Sequence, residues 1–559
     1  MIRSREEFEA HRAAGGSFRG ERLEGVDLDG ISAEGLDFRG SFWRECSARG
    51  ARFEGASFRG AQLFIVDFTE ADLTGADCAS LAATWDPTGE PSTFHGARFA
   101  DAVLTEANLS GSTLTEATFA GASMERALLE RVFAHRAVLT GATLSSARLE
   151  GGDFSFARFD GAALDGAQLE SASLYGASLD RIDAAGACFD GARLTQATLT
   201  GATLARATLR GTLLEQANLS GAELAGADLQ GANLTAAVLA GARCEGADFG
   251  TASLTDVDLT GAVLTDARLR QASFEGRDLS RIDFGGVDLT GASFARCALT
   301  GTSFARARLS GADFRGASFA GTNFEGADLS GVSLAGADLR DARFRGCGLD
   351  GTDLSFAKLR NAVLPGVDLR RTKLVGAAIV QSLLEDVNAT GVNFTGVNLS
   401  NSTLSGATLE GAIFANVLAH QTSFERANLR GAKMQRIKGL RANFGDARLD
   451  EVDLREAMLD DANLDRVTLR KARAEGASFA KSRFVRADLR GTSFRDASLA
   501  HTDLSHARLD GCDLRGANLT GADLHRVTRE AADLGGAELA DSKGTDAERA
   551  RAEDFRPQT

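Results

Sequence analysis

The chain of 559 residues carries 62 basic and 77 acidic residues, for a formal net charge of −15. This balance argues against direct binding to nucleic acid through a basic surface, and no stretch approaches the roughly 18 apolar residues of a membrane span, so no membrane insertion is expected. The cysteines number seven, and an odd count favours reduced thiols, which points to a bacterial cytoplasmic protein.

The first predicted element is a helix within residues 1–16. Ser4 to Glu7 has the form of a capping box, Phe8 and several helix formers follow, and Gly15 with Gly16 supplies a stop. We expect this short N-terminal capping helix to place Phe8 over the open edge of the next element, because an uncovered edge would pair with other chains.

The second element, residues 17–541, is a repeat of five residues. From Phe94 to Leu539, 83 of the 90 positions spaced five apart are Leu, Phe, Met, Ile or Cys, and the residue two before each of these central residues is usually Ala. Helices repeat every three or four residues and strands every two, so this period fits neither. It is the signature of a solenoid.

A stretch such as Ala222 to Leu234, which reads AELAGADLQGANL, resembles the pentapeptide-repeat family with its pattern A(D/N)LXX. The resemblance covers about nine tenths of the chain. It implies an all-β fold, a right-handed quadrilateral parallel β-helix with four pentapeptides in each coil. It also implies that the central residue and the residue two before it point inward.

Two features of the sequence agree with a coil of 20 residues. Like residues recur at this interval and should stack in columns, as Phe284, Phe304, Phe324 and Phe344 do. Where a central residue is small, the residue two before it is usually large, as in the pair Ile182 and Ala184. Such compensation is expected if both side chains fill one interior of fixed volume.

The repeat loses its phase once, between Cys78 and Phe94, which are 16 residues apart. We expect a projecting loop over about residues 79–93, since two prolines and a tryptophan cannot continue the ladder. The loop is either a tolerated insertion with its tryptophan folded back or a partner-binding loop, as loops of the quinolone-resistance members of the resembled family engage DNA gyrase. Its candidate partner-binding residues are Trp85, Asp86 and Glu90.

The repeat weakens near Arg529, where a charge occupies a central position. Residues 542–559 form a C-terminal tail, for which we expect either a short helix or a disordered segment.

Charge is divided unevenly along the chain, with a net −16 over residues 1–300 and +1 over residues 301–559. One acidic column stands out at 20-residue spacing. Like charges on adjacent strands are destabilising, so the column has either a use in binding or a relief from neighbouring arginines. Its candidate members are Glu130, Glu150, Glu170 and Asp190, and the candidate arginines are Arg131, Arg148 and Arg210.

The sequence predicts no catalytic, cofactor-binding or metal site. All seven histidines fall outside the predicted core, and His525 stacks over Ser505 rather than over His506, so zinc lacks a set of ligands. A regular solenoid wall also offers no concave pocket that would exclude water from a reaction.

The favoured function is therefore a non-catalytic interaction scaffold with an unknown protein partner. A first alternative is a DNA-mimicking protein that binds a type II topoisomerase such as DNA gyrase through an acidic face. A second is a structural accessory of a larger bacterial assembly.

Overall fold

The computed structural model describes residues 1–84 and 90–554. The chain forms two compact units, Met1–Ser273 and Phe274–Thr559, although the sequence repeat runs through both. Within each unit parallel bridges join residues 20 apart, as in Ser123 with Thr143 and Asp283 with Ser303. The expected right-handed quadrilateral parallel β-helix is thereby confirmed as the fold.

The elements in chain order are helix α1 (Arg5–Ala13), strands β1 (Arg22–Glu24), β2 (Phe42–Arg44), β3 (Gln62–Phe64) and β4 (Ala82–Ala83), and helix α2 (Ala547–Asp554). The four strands form one parallel sheet in sequence order. In its register Leu23 lies beside Trp43, and Trp43 beside Leu63. Elsewhere each side of the coil is so short that a single bridge represents the strand.

The core is built from two side chains of each pentapeptide, as expected. In the repeat around Leu224, both this central residue and Ala222 are fully buried. The compensating pair Ile182 and Ala184 is buried as well. Because both positions face inward, a large residue at one requires a small residue at the other.

Hydroxyl and thiol groups that replace the inward alanine are satisfied by the coil before. Thr422 Oγ1 donates to the carbonyl of Leu399 at 2.8 Å, and Cys297 Sγ donates to the carbonyl of Phe274 at 2.8 Å. A polar group can occupy this apolar interior because its hydrogen bond offsets the loss of water.

The turns between sides require a left-handed backbone at the residue two after each central residue. Gly211 has φ of +61° there, while Ala236 adopts φ of +57°. Glycine adopts this conformation without strain, which explains its frequency at this position.

Helix α1 covers the first coil of its unit. Ser4 caps the helix by accepting the backbone N–H of Glu7 at 3.2 Å. The fully buried ring of Phe8 stacks on Phe18 with centroids 4.4 Å apart. The first coil therefore ends in an aromatic contact rather than in an open edge.

Helix α2 packs without any apolar contact, since none of its residues is buried. Polar groups hold it instead, and Arg526 donates to the carbonyl of Ala550 at 2.6 Å. One expectation is corrected at this place. His525, assigned from the sequence to the solvent, is only 1% exposed because α2 covers it.

In the described part of the chain, neither helix has the length and apolarity needed to cross a membrane.

Candidate protein-interaction surface

The interruption of the repeat is a six-residue insertion in one coil. Asp67 and Asp77 pair with Thr93 and Val103, which lie 26 rather than 20 residues further along the chain. The ladder continues through β4 and resumes at Thr93, so the interruption is shorter than the loop expected over residues 79–93.

Both ends of the insertion are anchored by serine hydroxyls. The backbone N–H of Val66 donates to Ser92 Oγ at 3.2 Å, and Ser112 Oγ donates to the carbonyl of Ala83 at 3.1 Å. Among the candidate residues of this segment, Glu90 is exposed, while Trp85 and Asp86 lie outside the described residues.

The acidic column has the expected register. The bridges of Leu128 with Arg148, of Arg148 with Gln168 and of Gln168 with Cys188 align successive coils. The carboxylates that follow two residues later therefore stack on neighbouring coils of the first unit. They belong to Glu130, Glu150, Glu170 and Asp190.

Arg148 neutralises one end of this column. Its guanidinium lies 2.7 Å from Glu130 and 3.1 Å from Glu150. The hydrogen bond to Glu150 and the charges of both carboxylates raise the pKa of Arg148. The expected relief by neighbouring arginines therefore operates at Glu130 and Glu150.

The other end of the column keeps more of its charge. Asp190 accepts the backbone N–H of Arg210 at 2.9 Å, but the Arg210 guanidinium turns to Asp228 at 2.5 Å. Glu170 has one carboxylate oxygen that is buried and lacks a hydrogen bond within the described ranges. Glu170 and Asp190 are thus the less neutralised half of the column.

The column and the insertion meet in a groove of about 420 Å³. Thr84, which immediately precedes the undescribed part of the insertion, lines it together with Glu130 and Glu150. The remaining lining comes from Ser110, Gly111, Arg131 and Arg148. Two sequence candidates that lie far apart along the chain are therefore adjacent, whereas Glu170 and Asp190 lie outside the groove.

An aromatic patch, defined as Phe133, His135, Phe156 and Tyr175, occupies the side of the coil that follows the acidic column along the chain. Phe156 meets Tyr175 edge to face at 5.3 Å and His135 at 5.5 Å. Phe133 and Phe156 are 53% and 47% exposed. The Arg193 guanidinium lies over the Tyr175 ring at 4.7 Å.

The sequence analysis missed this patch, although its signal is readable once the register is known. Phe133 stands one residue before a small central residue, and Phe156 stands two after a central phenylalanine. Both positions face outward and are usually polar in this chain. An aromatic residue there is a surface residue, and several on one side form an exposed apolar patch of the kind found at interaction sites.

The inward cysteines offer no reactive thiolate at neutral pH. Burial raises the pKa of Cys244 and Cys347 to about 12 and that of Cys512 to about 11. Since the thiolate rather than the thiol is the nucleophile, these residues act as small core side chains.

Comparison with known families matches the model described as pentapeptide repeats, in eight copies between residues 22 and 528. The model described as pentapeptide repeat region matches residues 227–304 and 337–414. No curated protein matches the chain.

Solved structures that resemble the chain include HetL, a pentapeptide repeat protein involved in heterocyst differentiation regulation from the cyanobacterium Nostoc sp. strain PCC 7120. It is 27% identical over 48% of this chain and 95% of its own, with a TM-score of 0.16. A pentapeptide repeat protein of the Arabidopsis thaliana thylakoid lumen is 29% identical over 19% of this chain and 66% of its own, with a TM-score of 0.15. QnrB1, a plasmid-mediated fluoroquinolone resistance protein, is 17% identical over 34% of this chain and 94% of its own, with a TM-score of 0.17.

Proposed function

We propose that this chain, which belongs to the pentapeptide-repeat family, is a non-catalytic scaffold that binds a protein partner through its first unit. The observation that carries the proposal is the groove where Thr84, Glu130 and Glu150 meet, with the aromatic patch on the next side of the coil. Carboxylates beside exposed aromatic rings fit a partner surface with basic and aliphatic side chains.

The composition of this surface supports a protein partner. Aromatic residues and arginine are enriched at the centres of protein interfaces, because they bury a large area with little loss of side-chain entropy. The aromatic patch supplies Phe156 and Tyr175, with Arg193 stacked on the latter. The acidic excess of residues 1–300 would in addition accelerate encounter with a basic partner.

The test is affinity capture from native lysate with the full chain and two variants. The first variant deletes residues 85–90 and carries Pro91→Gly, which restores the five-residue spacing between Ala83 and Phe94. The glycine is needed because the restored repeat puts residue 91 at the left-handed position, which proline cannot adopt. The second variant is Phe156→Ser.

We expect both variants to keep the β-helix, as measured by circular dichroism, and to lose at least nine tenths of the captured partner. The matched control is Phe356→Ser, which removes a 68% exposed phenylalanine from the second unit. Capture that is equal for all four proteins would refute a binding role for the first unit.

A topoisomerase-binding DNA mimic is the second candidate, favoured by the four stacked carboxylates. Adjacent strands are about 4.8 Å apart, whereas duplex DNA carries one charge per about 1.7 Å. Arg148 further reduces the charge of the column. If mimicry operates, the chain should alter supercoiling by purified DNA gyrase, and the double variant Glu170→Gln/Asp190→Asn should abolish the effect. An unaltered supercoiling rate at micromolar protein removes this candidate.

A further inference from the structure

Two histidines of the last coils converge on one carboxylate of α2. His506 Nε2 lies 3.3 Å and His525 Nε2 lies 3.1 Å from the same oxygen, Oε2 of Glu553. The imidazole rings are inclined at 75° with centroids 5.4 Å apart. All three ligand atoms lie within 4.8 Å of one another.

We propose that His506, His525 and Glu553 form a binding site for a first-row divalent cation such as zinc. Bonds of about 2.0–2.1 Å in a tetrahedral site place the ligand atoms roughly 3.3 Å apart. The observed 3.1 and 3.3 Å need little rearrangement to meet this requirement. Two imidazoles and one carboxylate are a recurrent zinc ligand set, which leaves the fourth position to water.

The site would explain how α2 is held in place. This helix has no buried residue, so no apolar contact stabilises its position. A cation bound at once by two adjacent coils and by Glu553 would fix the helix through coordination bonds. Its binding free energy would then contribute directly to the stability of the folded C-terminus.

Two arginines also contact Glu553, and each has a second partner. Arg526 lies 3.4 Å from Glu553 and 2.6 Å from Asp554. Arg549 lies 3.2 Å from Glu553 and 3.3 Å from Asp523. Because both guanidiniums can remain paired elsewhere, Glu553 can transfer its negative charge to a cation without leaving an arginine alone.

The cost of binding falls on the start of α2. His525 Nδ1 accepts the backbone N–H of Asp546 at 3.1 Å, which puts the proton of the neutral ring on Nε2. A cation at Nε2 moves that proton to Nδ1 and breaks this bond. The Asp546 carboxylate, which lies within electrostatic range of His525, can then accept the Nδ1 proton. A carboxylate is a common outer partner of a metal-bound histidine.

The test is calorimetric titration of the chelator-treated full chain with zinc, followed by cobalt absorption spectroscopy. We expect one zinc ion per chain and a cobalt spectrum with visible bands but no thiolate charge-transfer band. Glu553→Gln and His506→Gly should each weaken binding at least tenfold. His501→Gly is the matched control, because His501 holds the same left-handed position one pentapeptide earlier.

A second measurement separates coordination from a loss of folding. Zinc should slow amide hydrogen exchange in α2 of the wild type but not of Glu553→Gln, while exchange in the preceding coils stays unchanged in both. The proposal is overturned if the wild type binds no zinc. It is equally overturned if Glu553→Gln binds as tightly as the wild type, if His501→Gly weakens binding as much as His506→Gly, or if cobalt shows thiolate ligation.

Discussion

The rings of Phe284 and Phe304 lie face to face, with centroids 5.4 Å apart and planes inclined by 8°. The two residues are separated by 20 positions in the sequence, which is one coil. Phe324 continues the column at 5.5 Å from Phe304. The interior of the second unit is therefore aligned residue by residue, and each ring is packed by the ring of the coil on either side.

The first prediction concerns the middle of this column. Phe304→Ala should lower the free energy of unfolding by about 3–5 kcal/mol, because a fully buried ring leaves a cavity that a rigid coil cannot fill. Native-state hydrogen exchange should locate the loss in the coils beside residue 304. Phe133→Ala, which truncates an exposed ring, is the control and should change stability by less than about 0.5 kcal/mol. A similar loss in both variants would contradict the inward column.

The second prediction concerns the left-handed turns. Gly211→Ala should destabilise the first unit by about 1 kcal/mol, since its added Cβ meets no neighbouring atom and only backbone strain remains. Ala236→Gly, at the equivalent position with φ of +57°, relieves such strain. It should be neutral or slightly stabilising in urea unfolding. Destabilisation by both changes would mean that packing rather than backbone conformation governs these turns.

The third prediction concerns pH. Arg515 donates to both carboxylate oxygens of Asp513, at 2.8 and 2.7 Å, and this hydrogen bonding lowers the pKa of Asp513 to about 2. The unfolded value is about 3.9. The pair therefore contributes stability above about pH 4 and loses it as the pH falls towards 2. The contribution is small because solvent screens the exposed pair.

Arg515→Met should raise the pKa of Asp513 towards 3.9, as measured by carbon NMR of the carboxyl group. Asp278 is the internal control, because hydrogen bonds from Ser280 lower its pKa independently of Arg515. If the pKa of Asp513 stays near 2 in the variant, the guanidinium is not the cause.

The fold was predictable because each inward residue reports its own position. The 20-residue recurrence of Phe284 and Phe304 gave both the coil length and the register. The acidic column followed from the same arithmetic, but its neutralisation did not. Whether an arginine such as Arg148 or Arg210 turns to one carboxylate or another depends on side-chain conformation, which the repeat leaves undetermined.

Contacts that leave the repeat were not predictable from it. The burial of His525 and its approach to Glu553 depend on where α2 packs, and the tail has no apolar pattern to indicate this. The groove beside Thr84 likewise depends on how the insertion joins two coils. The aromatic patch, in contrast, could have been found from the outward positions of Phe133 and Phe156.

The most direct test of the first unit as the binding surface is hydroxyl-radical footprinting of the full chain, alone and with its captured partner. In the free protein Phe133, Phe156 and Phe356 should all be oxidised, because all three rings are exposed. Binding should protect Phe133 and Phe156 at least fivefold and leave Phe356 in the second unit unchanged. Protection of Phe356 with continued oxidation of Phe133 and Phe156 would contradict the proposed surface.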